Sequence, residues 1–244
     1  MTGPVPSLME HAPASRSSTP MGVTDRQDIA LRVSDDAAQA EHTLWRRWLI
    51  ATTLGELAGF SVPATVGAVA YASDAPSALL FLALVVAGAG EGALLAFAQA
   101  HVLRRELAGF DRRAWMITTA LAAALAWSLG LLPSSLGERL DKISLVVLIP
   151  AGLVLGGTLL LSLGVAQWWV LRRYVQPAAL WIPANVIAWL VGLGLSVTLM
   201  SVLLTEETTT PAAIAIGLGA GFLMGITVAA ITGRFLVRIL RRSR

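Results

Sequence analysis

Residues Ser77–Arg105 read SALLFLALVVAGAGEGALLAFAQAHVLRR. Ahead of the closing arginine pair the stretch carries one charged residue, Glu91, and it is longer than the ~20 apolar residues that a helix needs to cross ~30 Å of hydrocarbon. Lipid offers no hydrogen-bond partners, so the backbone of such a segment must pair within itself. The stretch therefore predicts a transmembrane helix that ends at Arg104 and Arg105.

Five more stretches share this character. Of the 244 residues 56% are hydrophobic and 14% charged, and the mean hydropathy is +0.71. No strand-length alternation suggests a barrel, so an all-α integral membrane protein with six transmembrane helices is expected. The predicted helices are approximately Trp48–Tyr71, Ser77–Leu103, Ala114–Leu132, Ile143–Leu171, Ala179–Leu204 and Ala212–Leu240.

Composition also limits the chemistry. The chain has no cysteine, which excludes disulfides, thiolate metal sites and cysteine nucleophiles. The isoelectric point near 10.2 would suggest nucleic acid in a soluble protein, but the arginines lie at the ends of apolar segments, where membrane topology accounts for them. The expected partner is the lipid bilayer, with other membrane proteins or self-association left open, and no nucleic acid.

The placement of basic residues predicts the orientation. In a six-crossing arrangement nearly all of them fall on one side: Arg46, Arg47, Arg104, Arg105, Arg112, Arg113, Arg172, Arg173, Arg234, Arg238, Arg241, Arg242 and Arg244. The opposite loops carry Asp74, Glu138, Arg139, Asp141, Lys142, Glu206 and Glu207. Loops rich in arginine stay in the cytoplasm, so both termini are expected there.

Residues 1–43 differ from the rest in composition. They are rich in Ser, Pro, Ala and Asp and contain breakers around Pro13 and Pro20. We expect a disordered cytoplasmic tail, with a short helix near residues 28–40 as an alternative. The transmembrane domain is then 44–244.

An internal repeat organises this domain. Residues 98–105 read AQAHVLRR and residues 166–173 read AQWWVLRR, at an offset of 68 residues. The odd helices begin with Trp48, Trp115 and Trp181, each followed four positions on by Thr52, Thr119 and Asn185. The sixth helix keeps a degenerate form, with Gly233 in the place of glutamine. We expect three tandem, parallel-oriented helical hairpins over about 45–107, 112–175 and 179–242.

These motifs carry a resemblance. The Trp-x-x-Ala-Asn/Thr pattern at the hairpin starts and the Gln-Trp-x-x-Leu-Arg-Arg pattern at the hairpin ends resemble a group of uncharacterised bacterial multi-pass membrane proteins. The similarity covers about Trp45 to Leu240. It implies a bacterial plasma membrane location and the repeated-hairpin fold, but no activity. The chain departs from the pattern where Gln99-Ala100-His101 replaces Gln-Trp, so the three units are not expected to be equivalent.

Glu56 and Glu91 lie deep within predicted helices, with no adjacent cation in sequence. A charge at the centre of a membrane helix costs roughly 2.5–3.5 kcal/mol, so both are expected to face the bundle interior. The functional interpretation is a pair that shares a proton or binds a cation. The structural interpretation is two neutral carboxylic acids hydrogen-bonded to Thr52, Thr53, Gln99 or backbone.

The other polar candidates lie nearer the arginine side. Gln99 and Gln167 are expected to form interhelical hydrogen bonds, with Thr119 and Asn185 as candidate partners. His101 is a candidate pigment or metal ligand, but no second ligand is spaced with it, and a solvated interfacial histidine is the simpler interpretation. No metal site or cofactor is predicted.

Glycines and tryptophans suggest packing roles. Four-residue glycine spacings, among them Gly55/Gly59, Gly88/Gly92 and Gly152/Gly156, are typical of close helix contacts. The six tryptophans nearest the arginine side are expected to form an interfacial aromatic belt: Trp45, Trp48, Trp115, Trp168, Trp169 and Trp181. Trp127 and Trp189 are expected in the core.

No catalytic motif is readable, so the chain is not expected to be an enzyme. The leading hypothesis is an accessory or scaffold protein that associates with other membrane proteins. The first alternative is a small proton-coupled transporter or channel that uses Glu56 and Glu91. The second is pigment or lipid binding between hairpins. A cavity that reaches both glutamates would favour transport, and a fully packed interior would favour the scaffold.

Overall fold

The computed structural model describes residues 23–243 and is helical throughout. Its six long helices are α1 (Val23–Ala72), α2 (Ser77–Glu106), α3 (Arg112–Leu136), α4 (Leu145–Leu171), α5 (Trp181–Leu203) and α6 (Thr210–Ser243). Two short 3₁₀ segments, Gly137–Lys142 and Gln176–Leu180, precede α4 and α5. No strand occurs in this part of the chain.

All six helices are long and apolar enough to cross a membrane. The bounds of α2 to α6 lie within a few residues of those predicted from hydropathy, because the apolar length that crosses a bilayer is also the length of the helix. The predicted all-helical, multi-pass fold class is confirmed at this level.

The start of α1 differs from the prediction. Residues 23–43, which the composition suggested were disordered, are helical in the structure, and the alternative of a short helix near residues 28–40 falls within this helix. The last proline before them is Pro20, and the segment contains alanine, leucine, glutamine and glutamate, which favour helices. The prediction for residues 1–22 lies outside the described residues. The chain divides into two compact units between Ala40 and Glu41, and the six-helix bundle belongs to the second.

Within the second unit the helices contact their neighbours in chain order. Direct packing joins α2 to α3, α3 to α4, α4 to α5 and α5 to α6. Gly55 of α1 approaches Ala98 of α2, and Trp45 Nε1 of α1 donates to the Ala230 carbonyl of α6 at 3.1 Å. The six helices therefore close into a ring.

Glycine permits the closest of these approaches. A Cβ at Gly59 would lie 2.9 Å from the Glu91 carbonyl oxygen, and one at Gly92 would lie 3.0 Å from the Thr119 carbonyl oxygen. The packing role predicted for the Gly55/Gly59 and Gly88/Gly92 pairs agrees with these contacts. It does not extend to Gly152/Gly156, where no atom lies within 4 Å of the added Cβ. The Gly152/Gly156 spacing in α4 therefore lies on a face that no neighbouring helix covers.

The main core lies at the end of the bundle that carries the arginines. Leu103, Leu171 and Leu236 are fully buried there. Each lies four positions after a buried polar residue of its own helix, namely Gln99, Gln167 and Thr232. The loop between α2 and α3 covers this end, because the backbone N–H of Asp111 donates to the Tyr174 hydroxyl at 2.9 Å.

The outer surface is apolar. The first half of α4 is the most exposed part, with Leu145 and Val146 at 70% and 81% exposure. Such a surface is suited to lipid rather than to water.

Candidate functional site

Three tryptophans lie at the centre of the arginine-bearing end. Trp48, Trp115 and Trp181 are fully buried, and the ring of Trp181 lies 5.6 Å from that of Trp48 and 6.2 Å from that of Trp115. The interfacial belt predicted for them is therefore wrong. Trp169, half exposed beside Arg172, fits the belt. The hydropathy pattern locates a tryptophan along a helix but not around it.

Each central tryptophan has the same kind of partner. Its indole N–H donates to a buried polar side chain near the end of an even-numbered helix, as buried indoles require. The pairs are Trp115 with Gln99 Oε1 at 3.3 Å, Trp181 with Gln167 Oε1 at 2.9 Å, and Trp48 with Thr232 Oγ1 at 3.0 Å. We call these six residues the tryptophan layer.

Thr232, rather than Gly233, is the counterpart of the two glutamines. It makes the equivalent hydrogen bond, and Leu236 follows it by four positions as Leu103 follows Gln99. Gly233 has another role, because an added Cβ would lie 2.8 Å from the Trp48 ring. The alignment predicted for the third unit therefore shifts by one residue.

The glutamines also bond to each other. Gln167 Nε2 donates to Gln99 Oε1 at 3.0 Å and to Thr119 Oγ1 at 3.2 Å, as the interhelical prediction expected. Asn185 is buried but donates to the Trp181 carbonyl of its own helix at 3.0 Å, so it does not join the glutamines. The layer is dense and internally bonded, which favours a structural role for these candidates.

His101 lies outside the layer. It is exposed, and its Nε2 lies 3.0 Å from Arg105 Nη2, a group that can only donate. Among residues 23–243 no three His, Cys, Asp or Glu side chains are grouped so as to hold a metal.

Beyond the tryptophan layer a partly open cavity lies between the helices. This cavity of about 600 Å³ is lined by residues from all six helices. It begins at Glu56 and Glu91 and reaches Leu131, Met200 and Ile214, close to the helix ends opposite the arginines. Glu56 is two turns past Trp48, roughly 12 Å along α1. We call the region beside the glutamates the inner end of the cavity.

Positions at matched distances from the tryptophan layer line this cavity. Eight residues after the three layer tryptophans stand Glu56, Ala123 and Trp189. Eight residues before the three layer acceptors stand Glu91, Leu159 and Met224. All six residues line the cavity, but only those of α1 and α2 supply carboxyl groups, so the cavity has one polar end.

Glu91 is fixed by a residue that the sequence analysis placed in the core without a role. Trp127 Nε1 donates to Glu91 Oε2 at 2.8 Å, and the indole lies directly on Gly88, which leaves no room for a Cβ. The position of Trp127 was the sequence signal for a place in the cavity wall. Trp127 follows Trp115 by twelve residues, as Phe60 follows Trp48, and both side chains line the cavity.

Glu56 has no such support. It is 1% exposed, yet neither carboxyl oxygen has a hydrogen-bond partner among the described residues. The hydroxyls of Thr52 and Thr53, expected partners, are also without one there, and Gln99 is occupied within the tryptophan layer. Both glutamates lie inside the bundle as expected, but the expected structural hydrogen bonds are absent from this part of the chain.

The cavity thus joins an apolar wall to an acceptor-rich inner end. Its other polar lining residue is Ser196, and none of its lining residues is basic or histidine. This arrangement is suited to holding an apolar molecule with one polar end, and it assembles no nucleophile with a base.

Comparison of the chain with protein family models, curated proteins and solved structures found no match.

Proposed function

We propose that the protein binds an elongated apolar molecule in the cavity. The observation that carries the proposal is the cavity itself, about 600 Å³ between the tryptophan layer and the opposite helix ends. Protein interiors are normally close-packed, and ligand sites commonly have volumes of roughly 300–1,000 Å³. The proposal develops the ligand-binding hypothesis, with lipid-like molecules as the ligand class.

Transport is the second candidate. The cavity reaches both glutamates, which was the feature expected of a carrier, and the tryptophan layer lies beyond this inner end. A carrier would need that layer to open during its cycle. Flux into liposomes, measured with a ligand that first binds, separates a carrier from a binding protein.

A scaffold role is favoured by a different surface. The first half of α4 exposes large apolar side chains and the open Gly152 and Gly156, which supports association with another membrane protein or a second copy. No catalytic activity is part of any of these proposals.

Quenching of tryptophan fluorescence tests binding directly. Two of the eight tryptophans, Trp127 and Trp189, line the cavity. A long-chain alcohol brominated at its middle carbons is titrated into detergent-purified protein. We expect saturable quenching, and Trp189→Phe should reduce its amplitude.

A matched pair of variants locates the site. Gly217 lines the cavity and Gly219 does not, and neither has an atom within 4 Å of an added Cβ. Gly217→Leu should place its side chain in the cavity and abolish the saturable quenching, while Gly219→Leu should retain it. Quenching that never saturates, or that Gly217→Leu leaves unchanged, would contradict the proposal.

The membrane topology belongs to the proposal as well. We infer a bacterial plasma membrane location with both termini in the cytoplasm, supported by six membrane-length helices and by the arginines at one end. A reporter fused at Glu207 should lie outside the cell and one at the C-terminus inside. A cytoplasmic signal from Glu207 would contradict this orientation.

Three tandem hairpins of parallel orientation are the proposed architecture of the bundle. Support comes from the indole bonds of Trp115, Trp181 and Trp48, each made to the equivalent residue of an even-numbered helix. An experimental structure in which the first two hairpins were inverted relative to each other would contradict it.

A further inference from the structure

The inner end of the cavity lacks a positive charge. Glu56 and Glu91 both line it, from two adjacent helices, and Gly59 of α1 lies against the Glu91 side chain. The lining contains no lysine, arginine or histidine. Nearly all arginines of the bundle lie instead at the helix ends beyond the tryptophan layer, and Arg139 and Lys142 lie in the 3₁₀ segment at the opposite end.

The two carboxyl groups are not equivalent. Trp127 orients the carboxyl group of Glu91 through one hydrogen bond. Glu56 is buried, lines the cavity and has two oxygens without a partner among the described residues. A buried carboxylate is costly unless a cation or hydrogen-bond donor accompanies it. No described side chain supplies one to Glu56, so a bound molecule is the natural source.

We propose that the bound molecule carries a primary amine, whose ammonium group is received by Glu56 and Glu91 at the inner end of the cavity. This inference rests on the proposed function and names its ligand class. An ammonium group is a compact cation with three N–H donors, which matches two carboxyl groups that face one space. The apolar remainder of the cavity accommodates the alkyl chain of the same molecule.

The competing hypothesis is a ligand whose head group is a neutral hydrogen-bond acceptor rather than an ammonium group. If both glutamates were protonated, they would donate to a ketone or alcohol instead. Glutamine distinguishes the two cases because it retains a donor and an acceptor but not the negative charge. Glu56→Gln should therefore weaken an amine and preserve a neutral ligand.

Displacement of the brominated alcohol provides the measurement. Octadecylamine, octadecanol and a methyl ketone of equal chain length compete with it in detergent-purified wild-type protein. We expect the amine to displace the probe at a concentration on the order of tenfold lower than the alcohol or ketone, the gain typical of a charge-assisted hydrogen bond.

Three variants complete the test. Glu56→Gln should remove the amine preference, Glu91→Gln should reduce it, and Glu207→Gln, at an exposed site outside the cavity, should leave it unchanged. The octadecanol titration reports folding in each variant, because glutamine retains a donor and an acceptor and should preserve the binding of a neutral ligand.

The outcomes separate the two proposals. If no chain displaces the probe, the proposed function fails. If all chains displace it but the amine has no advantage, or if Glu56→Gln retains that advantage, the amine inference alone is overturned. A ketone that binds better than the amine would overturn it as well.

Discussion

The two ends of the bundle differ in how closely residues at matched helix positions resemble one another. At the arginine-bearing end the matched positions carry nearly the same residues, and these pack into the tryptophan layer. Eight positions farther along the odd-numbered helices the residues differ, being Glu56, Ala123 and Trp189, and they surround a cavity. Similar residues at matched positions thus mark the packed end, and dissimilar residues mark the candidate site.

The largest loss of unfolding free energy is expected on truncation of Trp181, which contacts both other tryptophans of the layer. Trp181→Ala should lower the free energy of unfolding by about 3–5 kcal/mol, the usual cost of emptying a buried aromatic site. Unfolding in mixed micelles measures it. The control is Trp169→Ala at a half-exposed position, where the loss should be well below this. Equal losses would show that the layer is not the core of the bundle.

Hydropathy predicted the helices but not the tryptophan layer. Helix length follows from bilayer thickness, so the bounds of α2 to α6 could be read from apolar runs. Tryptophan scores as interfacial, which placed Trp48, Trp115 and Trp181 in a belt. Hydropathy does not register which face of its helix each indole occupies, and all three are fully buried. Polar composition likewise hid the helical start of α1.

The cavity could be predicted only in part. The glutamates were recognised because charge in an apolar helix is costly. The hydrogen bond from Trp127 and the volume of the cavity depend on how side chains from six helices pack together. A single sequence contains no direct signal for that packing. The close approach of Ala123 to Gly92 is seen only in the structure.

An intermediate loss of unfolding free energy is expected when a glycine at a close helix contact is enlarged. Gly92→Ala would bring a Cβ to 2.5 Å from that of Ala123, so overpacking should cost about 1–3 kcal/mol of unfolding free energy. Gly156→Ala is the matched control, because that glycine faces open space. Thermal unfolding of both variants in one detergent makes the comparison. A loss at Gly156 as large as at Gly92 would contradict the assigned helix contacts.

The smallest loss of unfolding free energy is expected when one side chain of the hydrogen-bonded tryptophan layer loses its polar group. Gln167→Leu removes the acceptor of Trp181 and the donor to Gln99. Interhelical hydrogen bonds in membranes contribute about 0.6–2 kcal/mol, and a loss of that size is expected. Thr118→Val removes only a bond to the carbonyl of its own helix and should cost less. The reverse order would argue against the bonded layer.

Thiol labelling tests the contrast between the two ends most directly. The chain has no cysteine, so a single introduced cysteine gives an unambiguous signal. Ala126→Cys and Ser196→Cys lie in the cavity, while Ala100→Cys and Ala184→Cys lie at fully buried positions of the arginine-bearing end. A small neutral thiol reagent should label the first two in the folded protein, with octadecylamine slowing the reaction, and should label the last two only after unfolding. Equal labelling at both ends, or labelling confined to Ala100→Cys and Ala184→Cys, would contradict a packed layer beside a ligand-accessible cavity.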